Sequence, residues 1–180
     1  MGEDAAFRHG LARTLVRIVA QSRRLPSNFF IHGVQLHSRD SVASGGFGDI
    51  FKGSYLGKEV AVKRLRVRQK EGQIIRLYRE IIIWLSLDHP HVLPFYGVDG
   101  ISFSPLVCMV SPWMHNGSLL QYIQKVDRSN LDVDKLLYQS AQGMDYLHSR
   151  SIVHGDIRCS NIFIDRGGYA KLADFGLSII

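Results

Sequence analysis

Cysteine is scarce in this chain. Cys108 and Cys159 are the only two among 180 residues, and neither stands at a metal-ligand spacing. A metal site built on cysteines is thereby unsupported, the local sequences say nothing of a disulfide, and the thiols read as buried groups of a reducing compartment. No run approaches the roughly 20 apolar residues that a membrane-spanning helix needs. The first residues carry Glu3 and Asp4 where a secretory signal would carry cations and an apolar core. Ala6 stands where N-myristoylation of Gly2 would want Ser or Thr. Charge is not one-sided either: 22 Lys and Arg against 16 Asp and Glu leave +6. That balance attracts polyanions, nucleotides included, without making a nucleic-acid binder. There is no internal repeat and no low-complexity tract. An intracellular, cytoplasmic protein with no transmembrane segment and no nucleic-acid partner is expected.

What is present falls into three stretches. Residues 4–22 read as one amphipathic helix, with Phe7, Leu11, Leu15, Ile18 and Val19 near helical spacing and arginines on the other sides; Pro26 closes it. Such a basic helix could lie on a membrane or in a partner's groove, or dock on its own domain, and its partner is not identified. From Asp40 onward, short apolar runs punctuated by glycine predict strands at 41–43, 49–55 and 59–65, the last two joined by a tight turn at Leu56-Gly57-Lys58. A helix over 68–87 follows, with Ile74, Leu77, Ile81 and Trp84 or Leu85 on its buried face. Strands at 92–98 and 106–111 complete a five-stranded antiparallel sheet. After Pro112 the pattern turns helical, with a short helix at 119–125 and a long one at 133–150 whose buried stripe is expected at Leu136, Leu137, Ala141, Met144 and Leu147. Strands at 162–165 and 170–172 bracket the turn Arg166-Gly167-Gly168. The fold class is α+β, divided at 1–35, 36–111 and 112–180.

Five local patterns carry chemistry. Ala43-Ser44-Gly45-Gly46-Phe47-Gly48-Asp49-Ile50 is a glycine-rich strand-turn-strand, in which missing Cβ atoms let backbone N–H groups approach an anion. Alone it is what any glycine-rich hairpin shows. Val60-Ala61-Val62-Lys63 follows, and alternation puts Ala61 and Lys63 on one face. Glu80 sits on the next helix, beside the apolar stripe and within reach of Lys63. His154-Gly155-Asp156-Ile157-Arg158-Cys159-Ser160-Asn161 comes after the long helix, and Asp174-Phe175-Gly176 after the second hairpin strand.

In order and spacing these five resemble the protein-kinase signature set of glycine loop, V-A-[IV]-K, helix glutamate, H-R-D-L-K-x-x-N and D-F-G. The resemblance covers about residues 36–178. Within kinases the chain is most similar to the tyrosine-kinase-like group, and Pro112–Leu119 looks like members from mushroom-forming fungi. The resemblance implies a protein-kinase-like α+β fold: a five-stranded antiparallel lobe with one long helix, then an incomplete, mainly helical lobe. It implies ATP and Mg²⁺ as cofactors and a protein substrate, with serine/threonine preferred over tyrosine. Lys63 would hold the α- and β-phosphates and Glu80 would orient it. Asn161 and Asp174 would bind the metal, Asp156 would be the general base, and Arg158 would neutralise the γ-phosphate. Val42, Ala43, Ser44, Gly45, Gly46, Phe47, Gly48 and Ile50 would cover the nucleotide. Ser111 falls at the gatekeeper position. The carbonyl of Pro112 and the amide and carbonyl of Met114 would meet adenine, with Ile50 and Ala61 above it and Phe163 below.

The chain departs from the pattern in four places. Ala43 replaces the first glycine of the loop, Gly155 the usual arginine before the catalytic aspartate, and Arg158 the usual lysine after it. Without an arginine at 155, control by a phosphate on the activation loop is not expected. The resemblance also runs out after Leu177-Ser178, before an activation segment or A-P-E, which reads as a truncated domain whose long helix loses part of its cover. Two functions stay open: a protein kinase, or a nucleotide- or partner-binding module of the same fold without turnover. A small-molecule kinase fits less well, because the Phe47-tipped loop and the H-x-D-x-x-x-x-N order are protein-kinase features. The basic run from Lys63 to Lys70 spans a strand end and a helix start and reads as a solvated rim.

Overall fold

The computed structural model describes residues 10, 14–19, 21–22, 24–45, 48–65 and 71–179. They fall into two compact units: Leu15–Leu85 with Pro94–Trp113, and Ser86–Leu93 with Met114–Ile180 and the residues before Leu15. Of the expected N-terminal helix, 14–19 and 21–22 are helical. Val19 is buried but Ile18 is exposed, so the apolar face is narrower there than its spacing predicts. The remainder of that helix, residues 4–9, 11–13 and 20, lies outside the described residues.

Besides the N-terminal helical residues from Leu15 on, the first unit holds a curled antiparallel sheet and one long helix. Its strands are β1 (Gln35–Leu36), β2 (Ala43–Gly45), β3 (Gly48–Tyr55), β4 (Lys58–Arg64), β5 (Gly97–Asp99) and β6 (Cys108–Pro112). They lie in the order β1-β3-β4-β6-β5, and β2 also pairs with β3. The six strands therefore fill five positions, because β1 and β2 share the free edge of β3. β3 and β4 turn through Leu56-Gly57 in the register Tyr55↔Lys58. Alternation then gives this ribbon two faces. Phe51, Val60, Val62, Cys108 and Val110 form the core on one, under Ile31, Leu36 and Phe103. Burying each Val or Phe contributes about 1.5–3 kcal/mol. The helix α1 (Glu71–Leu85) starts at or before Glu71, residues 68–70 being outside the described set. Leu77, Ile81 and Trp84 are buried as expected. Ile82 and Ile83 are buried too, so its C-terminal half is covered all round.

The strand expected over 92–98 does not form as one piece. Only 97–99 belongs to β5, whereas Val92, which belongs to the second unit, makes a single parallel bridge to Leu172 in that unit's own hairpin. The cause is Pro94, which has no N–H for a ladder and sits in the middle of the run.

The second unit holds α2 (Leu119–Lys125), α3 (Val133–Ser149) and the hairpin β7 (Ile162–Ile164) and β8 (Ala170–Leu172). Ser118 opens α2 with a capping box, its hydroxyl accepting from Gln121 N while Gln121 Oε1 accepts from Ser118 N. The buried stripe of α3 is Leu136, Gln139, Ser140, Gly143 and Leu147. This corrects the expected stripe: Leu137 and Ala141 are exposed and Met144 is only half-buried. Two polar side chains occupy the core face, one bonded to β8 and the other to its own helix. Gln139 Oε1 accepts from Ala170 N at 2.9 Å, and Ser140 Oγ donates to Leu136 O at 2.8 Å. Each buried polar group is thus satisfied, at a position that hydrophobicity alone would award to Leu137 or Ala141.

Gly143 is the point of closest approach. An added Cβ would stand 2.7 Å from His91 O and 2.9 Å from Leu172 Cδ1. That carbonyl is already fixed by accepting from Leu172 N at 2.9 Å. Alanine is the better helix former by about 1 kcal/mol, but forcing an atom into a packed site costs about 1–3 kcal/mol. We expect Gly143→Ala to lower the unfolding free energy by about 1 kcal/mol net. Urea denaturation measures it, and a stabilised variant would show that the contact relaxes freely.

Candidate active site

In the first unit, register places four of the expected residues on the face opposite the Phe51 core. Ile50 is paired with Lys63 and Ala61 with Ser111, across β3, β4 and β6. Lys63 Nζ donates to Glu80 Oε1 at 3.2 Å, the lysine side chain 16% and the glutamate 6% exposed. The buried carboxylate on α1 thus holds the lysine extended. Ala43 is paired with Ile50, Ser44 with Asp49 and Gly45 with Gly48, and Val42, half-exposed, donates its N–H to Ile50 O. Gly46 and Phe47 lie outside the described residues. Ser111 is buried, and Pro112, which ends β6, is followed by Trp113, whose N–H donates to Glu59 O.

In the second unit Met114 opens a turn, its carbonyl accepting from Gly117 N at 3.1 Å, and Phe163 lies mid-β7, bridged to Ser118. The central feature is Asn161. Its Nδ2 donates to Asp156 O at 3.0 Å and to Asp156 Oδ2 at 2.8 Å. Two oxygen partners on one nitrogen fix the orientation of the carboxamide, so Oδ1 is the acceptor end. Ser160 Oγ reaches that Oδ1 at 3.2 Å and accepts from Arg158 Nε at 2.6 Å. Arg158 is exposed, engaged with Ser160, and carries the chain of donors toward Asp156. Asn161 O in turn accepts from Ala173 N at 2.9 Å, which ties the loop to the residue before Asp174. Asp174 itself has a left-handed backbone, φ 66°.

His154, not among the expected site residues, connects the same two segments. Its Nε2 bonds Ala173 O at 3.0 Å, and Asp156 N reaches Nδ1 at 3.3 Å. A carbonyl accepts only, so Nε2 carries the proton and Nδ1 accepts from the Asp156 amide: the imidazole is neutral. Burial drives its pKa below the ordinary value, while the bond to Ala173 and the charges of Asp174 and Asp156 oppose the shift. Both carboxylates therefore lie near this ring. The signal was in the sequence, as the histidine two residues before Asp156, but nothing there says which atoms it would bond.

Gly155 has φ 82°, and a Cβ on it would meet Leu177 O at 2.6 Å. Leu177 cannot withdraw easily. Its neighbours are zipped to the same segment, Val153 and Ile179 exchanging both N–H···O bonds at 2.9 Å and Ser178 Oγ donating to His154 O at 3.1 Å. A left-handed non-glycine residue costs about 1–3 kcal/mol. We expect Gly155→Ala, and Gly155→Arg equally, to lower the unfolding free energy by about that amount. Thermal denaturation checks it, and unchanged stability would mean that the 152–155 segment moves off Leu177 at no cost.

Comparison with known proteins agrees with this arrangement. The family described as protein tyrosine and serine/threonine kinase matches residues 36–180. The serine/threonine-protein kinase STY17 of Arabidopsis thaliana is 31% identical over 148 residues, which cover 80% of this chain and 25% of that protein. The probable serine/threonine-protein kinase drkB of Dictyostelium discoideum is 33% identical over 144 residues, 77% of this chain and 21% of its own length. From the same organism, the probable serine/threonine-protein kinase kinX is 35% identical over 153 residues, 77% of this chain and 13% of its own. The chain thus spans between 13% and 25% of the length of these relatives. With a matched region that contains every motif from the glycine turn to Asp174-Phe175-Gly176, the chain belongs to the protein tyrosine and serine/threonine kinase family.

Proposed function

We propose that the protein transfers the γ-phosphoryl group of ATP to a protein hydroxyl, serine or threonine in preference to tyrosine, with Mg²⁺. The observation that carries this is the Asn161–Asp156 pair, a carboxylate oriented at both its backbone and its side chain by one fixed amide. The donor chemistry fits the metal. Asn161 Oδ1 and the Asp174 carboxylate are hard oxygens, and Mg²⁺ is commonly held by one or two such groups plus phosphate oxygens. Among the described residues no group of three or more His, Cys, Asp or Glu could hold a metal alone. That fits a site completed by a nucleotide. The backbone fits the nucleotide too: a Cβ on Gly48 would strike Arg64 O at 2.4 Å, so the glycine turn can lie flat on β4.

Lys63, held extended by Glu80, neutralises the α- and β-phosphates. Asp156 orients the acceptor hydroxyl and takes its proton, and Arg158 offsets charge at the γ-phosphoryl group. Asn161 and Asp174 would hold magnesium, which would supply charge withdrawal from the phosphate oxygens. Ile50, Ala61 and Phe163 give adenine an apolar setting, and Pro112 and Met114 its hydrogen bonds. Val42, Ala43, Ser44, Gly45, Gly46, Phe47 and Gly48 cover the phosphates. We take 36–111 and 112–180 as the two functional lobes, with 1–35 preceding them. Serine/threonine preference rests on the relatives' names. Among the described residues no helix is long and apolar enough to cross a membrane. Both cysteines are free, Cys108 buried with its thiol pushed up to about 12 and Cys159 exposed rather than buried as expected, and free thiols suit an intracellular setting.

The test is a magnesium-dependent titration with a fluorescent ATP analogue, together with a phosphoryl-transfer assay, on the chain and on a form extended to a complete kinase domain. Lys63→Ala and Asp174→Ala each weaken binding by about ten- to a hundredfold, the size of a lost charge-assisted contact. Asp156→Ala spares binding and lowers transfer by about 10²–10⁴-fold. Lost binding in a folded Asp156→Ala protein would contradict the assigned role. Separately, the small Ser111 leaves room behind adenine, so ATP analogues with a bulky base substituent bind, and Ser111→Met weakens them by about tenfold or more. Unchanged affinity would mean that Ser111 does not border the base.

A further inference from the structure

We propose that Asp49 is a positioning residue for nucleotide binding: gripped by Arg64 and Ser44, its carboxylate fastens the glycine turn to the strand that carries Lys63. The proposal rests on the nucleotide-binding reading above. Three residues stand side by side across three strands, Ser44 opposite Asp49 and Asp49 opposite Arg64. Ser44 Oγ donates to Asp49 Oδ1 at 2.8 Å, and Arg64 Nη2 to Asp49 Oδ2 at 3.0 Å. Ser41 extends the chain, with its hydroxyl 3.1 Å from that of Ser44. The arginine is itself braced, its guanidinium 4.9 Å from the Phe51 ring and 4.7 Å from that of Phe103.

The Asp49 carboxylate is buried, on the core face of the sheet. A buried ion pair rarely adds stability over apolar residues of similar volume, because desolvation offsets the attraction. An isoleucine or valine at 49 would serve the core as well, so the charge there is better understood as geometry. The geometry concerns the turn. Gly48 packs its backbone on Arg64 O, and the next residue bonds the Arg64 side chain. The glycine hairpin is therefore attached to β4 at two points, immediately beside Lys63, whose side chain points to the opposite face. A carboxylate that fixes Gly48, and Gly45 paired with it, against β4 fixes their backbone N–H groups relative to the lysine ammonium, and on the nucleotide reading both meet phosphate oxygens.

The experiment compares Asp49→Asn, Arg64→Gln, the double variant and Val62→Ala by three readouts: affinity for the fluorescent ATP analogue, hydrogen exchange of the amides of 48–50, and melting temperature. Val62 is buried in the core of the same strand, outside the nucleotide face, and reports pure destabilisation. Each single charge variant is expected to weaken affinity about tenfold and to speed exchange, with the double no worse than either, as one shared interaction requires. Val62→Ala lowers the melting temperature and leaves affinity unchanged. The proposal is overturned if Asp49→Asn and Arg64→Gln behave like Val62→Ala, or if their effects simply add. Lys63→Ala run alongside separates the two levels. If it too leaves affinity untouched, the nucleotide reading fails; if it alone weakens binding, only the role of Asp49 does.

Discussion

A carboxamide buried among loops has few ways to be satisfied, and Asn161 uses nearly all of its capacity at once. Its nitrogen holds Asp156 by carbonyl and carboxylate, its oxygen receives Ser160, and its backbone carbonyl receives Ala173. His154 closes the same circuit from the other side, through Ala173 O and the Asp156 amide. Each bond alone contributes about 1 kcal/mol. Together they leave the Asp156 carboxylate and the segment entering Asp174 almost no independent freedom. For the role proposed for Asp156, a carboxylate meeting a hydroxyl within hydrogen-bonding reach, such fixing is what geometry demands.

The sheet solves a different problem by alternation. One face of β3, β4 and β6 carries Ile50, Ala61, Lys63 and Ser111; the other carries Asp49, Phe51, Val60, Val62 and Arg64. Core packing and the proposed phosphate contacts therefore fall on the same strands without competing for the same side chains. The Lys63–Glu80 and Arg64–Asp49 pairs are neighbours along β4 on opposite faces. One holds the Lys63 cation extended, and the other ties β4 to the residue after Gly48.

Much of this was readable from residues. α2 lies where its periodicity put it, and α3 ends one residue early. Lys63 and Glu80, which the sequence placed within reach of each other, do meet, whereas the bonds from Asn161 to Asp156 had no forecast in the sequence. What could not be read depends on contacts made at a distance. The stripe of α3 turned away from Leu137 and Ala141 because β8 needs the amide oxygen of Gln139, and no periodicity records a partner 31 positions away. The run 92–98 looked continuous because its apolar residues outvoted Pro94, whose missing N–H decided the matter. The Asp49–Arg64 pair escaped notice because each residue reads singly as a polar strand position; only register makes them neighbours.

Gly155 shows how a departure from a family pattern can be structural before it is regulatory. In many kinases an arginine at this position lets a phosphate elsewhere in the chain reinforce the catalytic loop. Here the backbone is left-handed, and the space a Cβ would take is filled by Leu177 O. The carbonyl of the preceding residue, His154, is bonded to Ser178, and Val153 is paired with Ile179. The loop is thus braced by backbone pairing to the segment after Asp174. A charged partner at 155 would add support that His154 and Asn161 already provide, at the expense of the close approach that provides it.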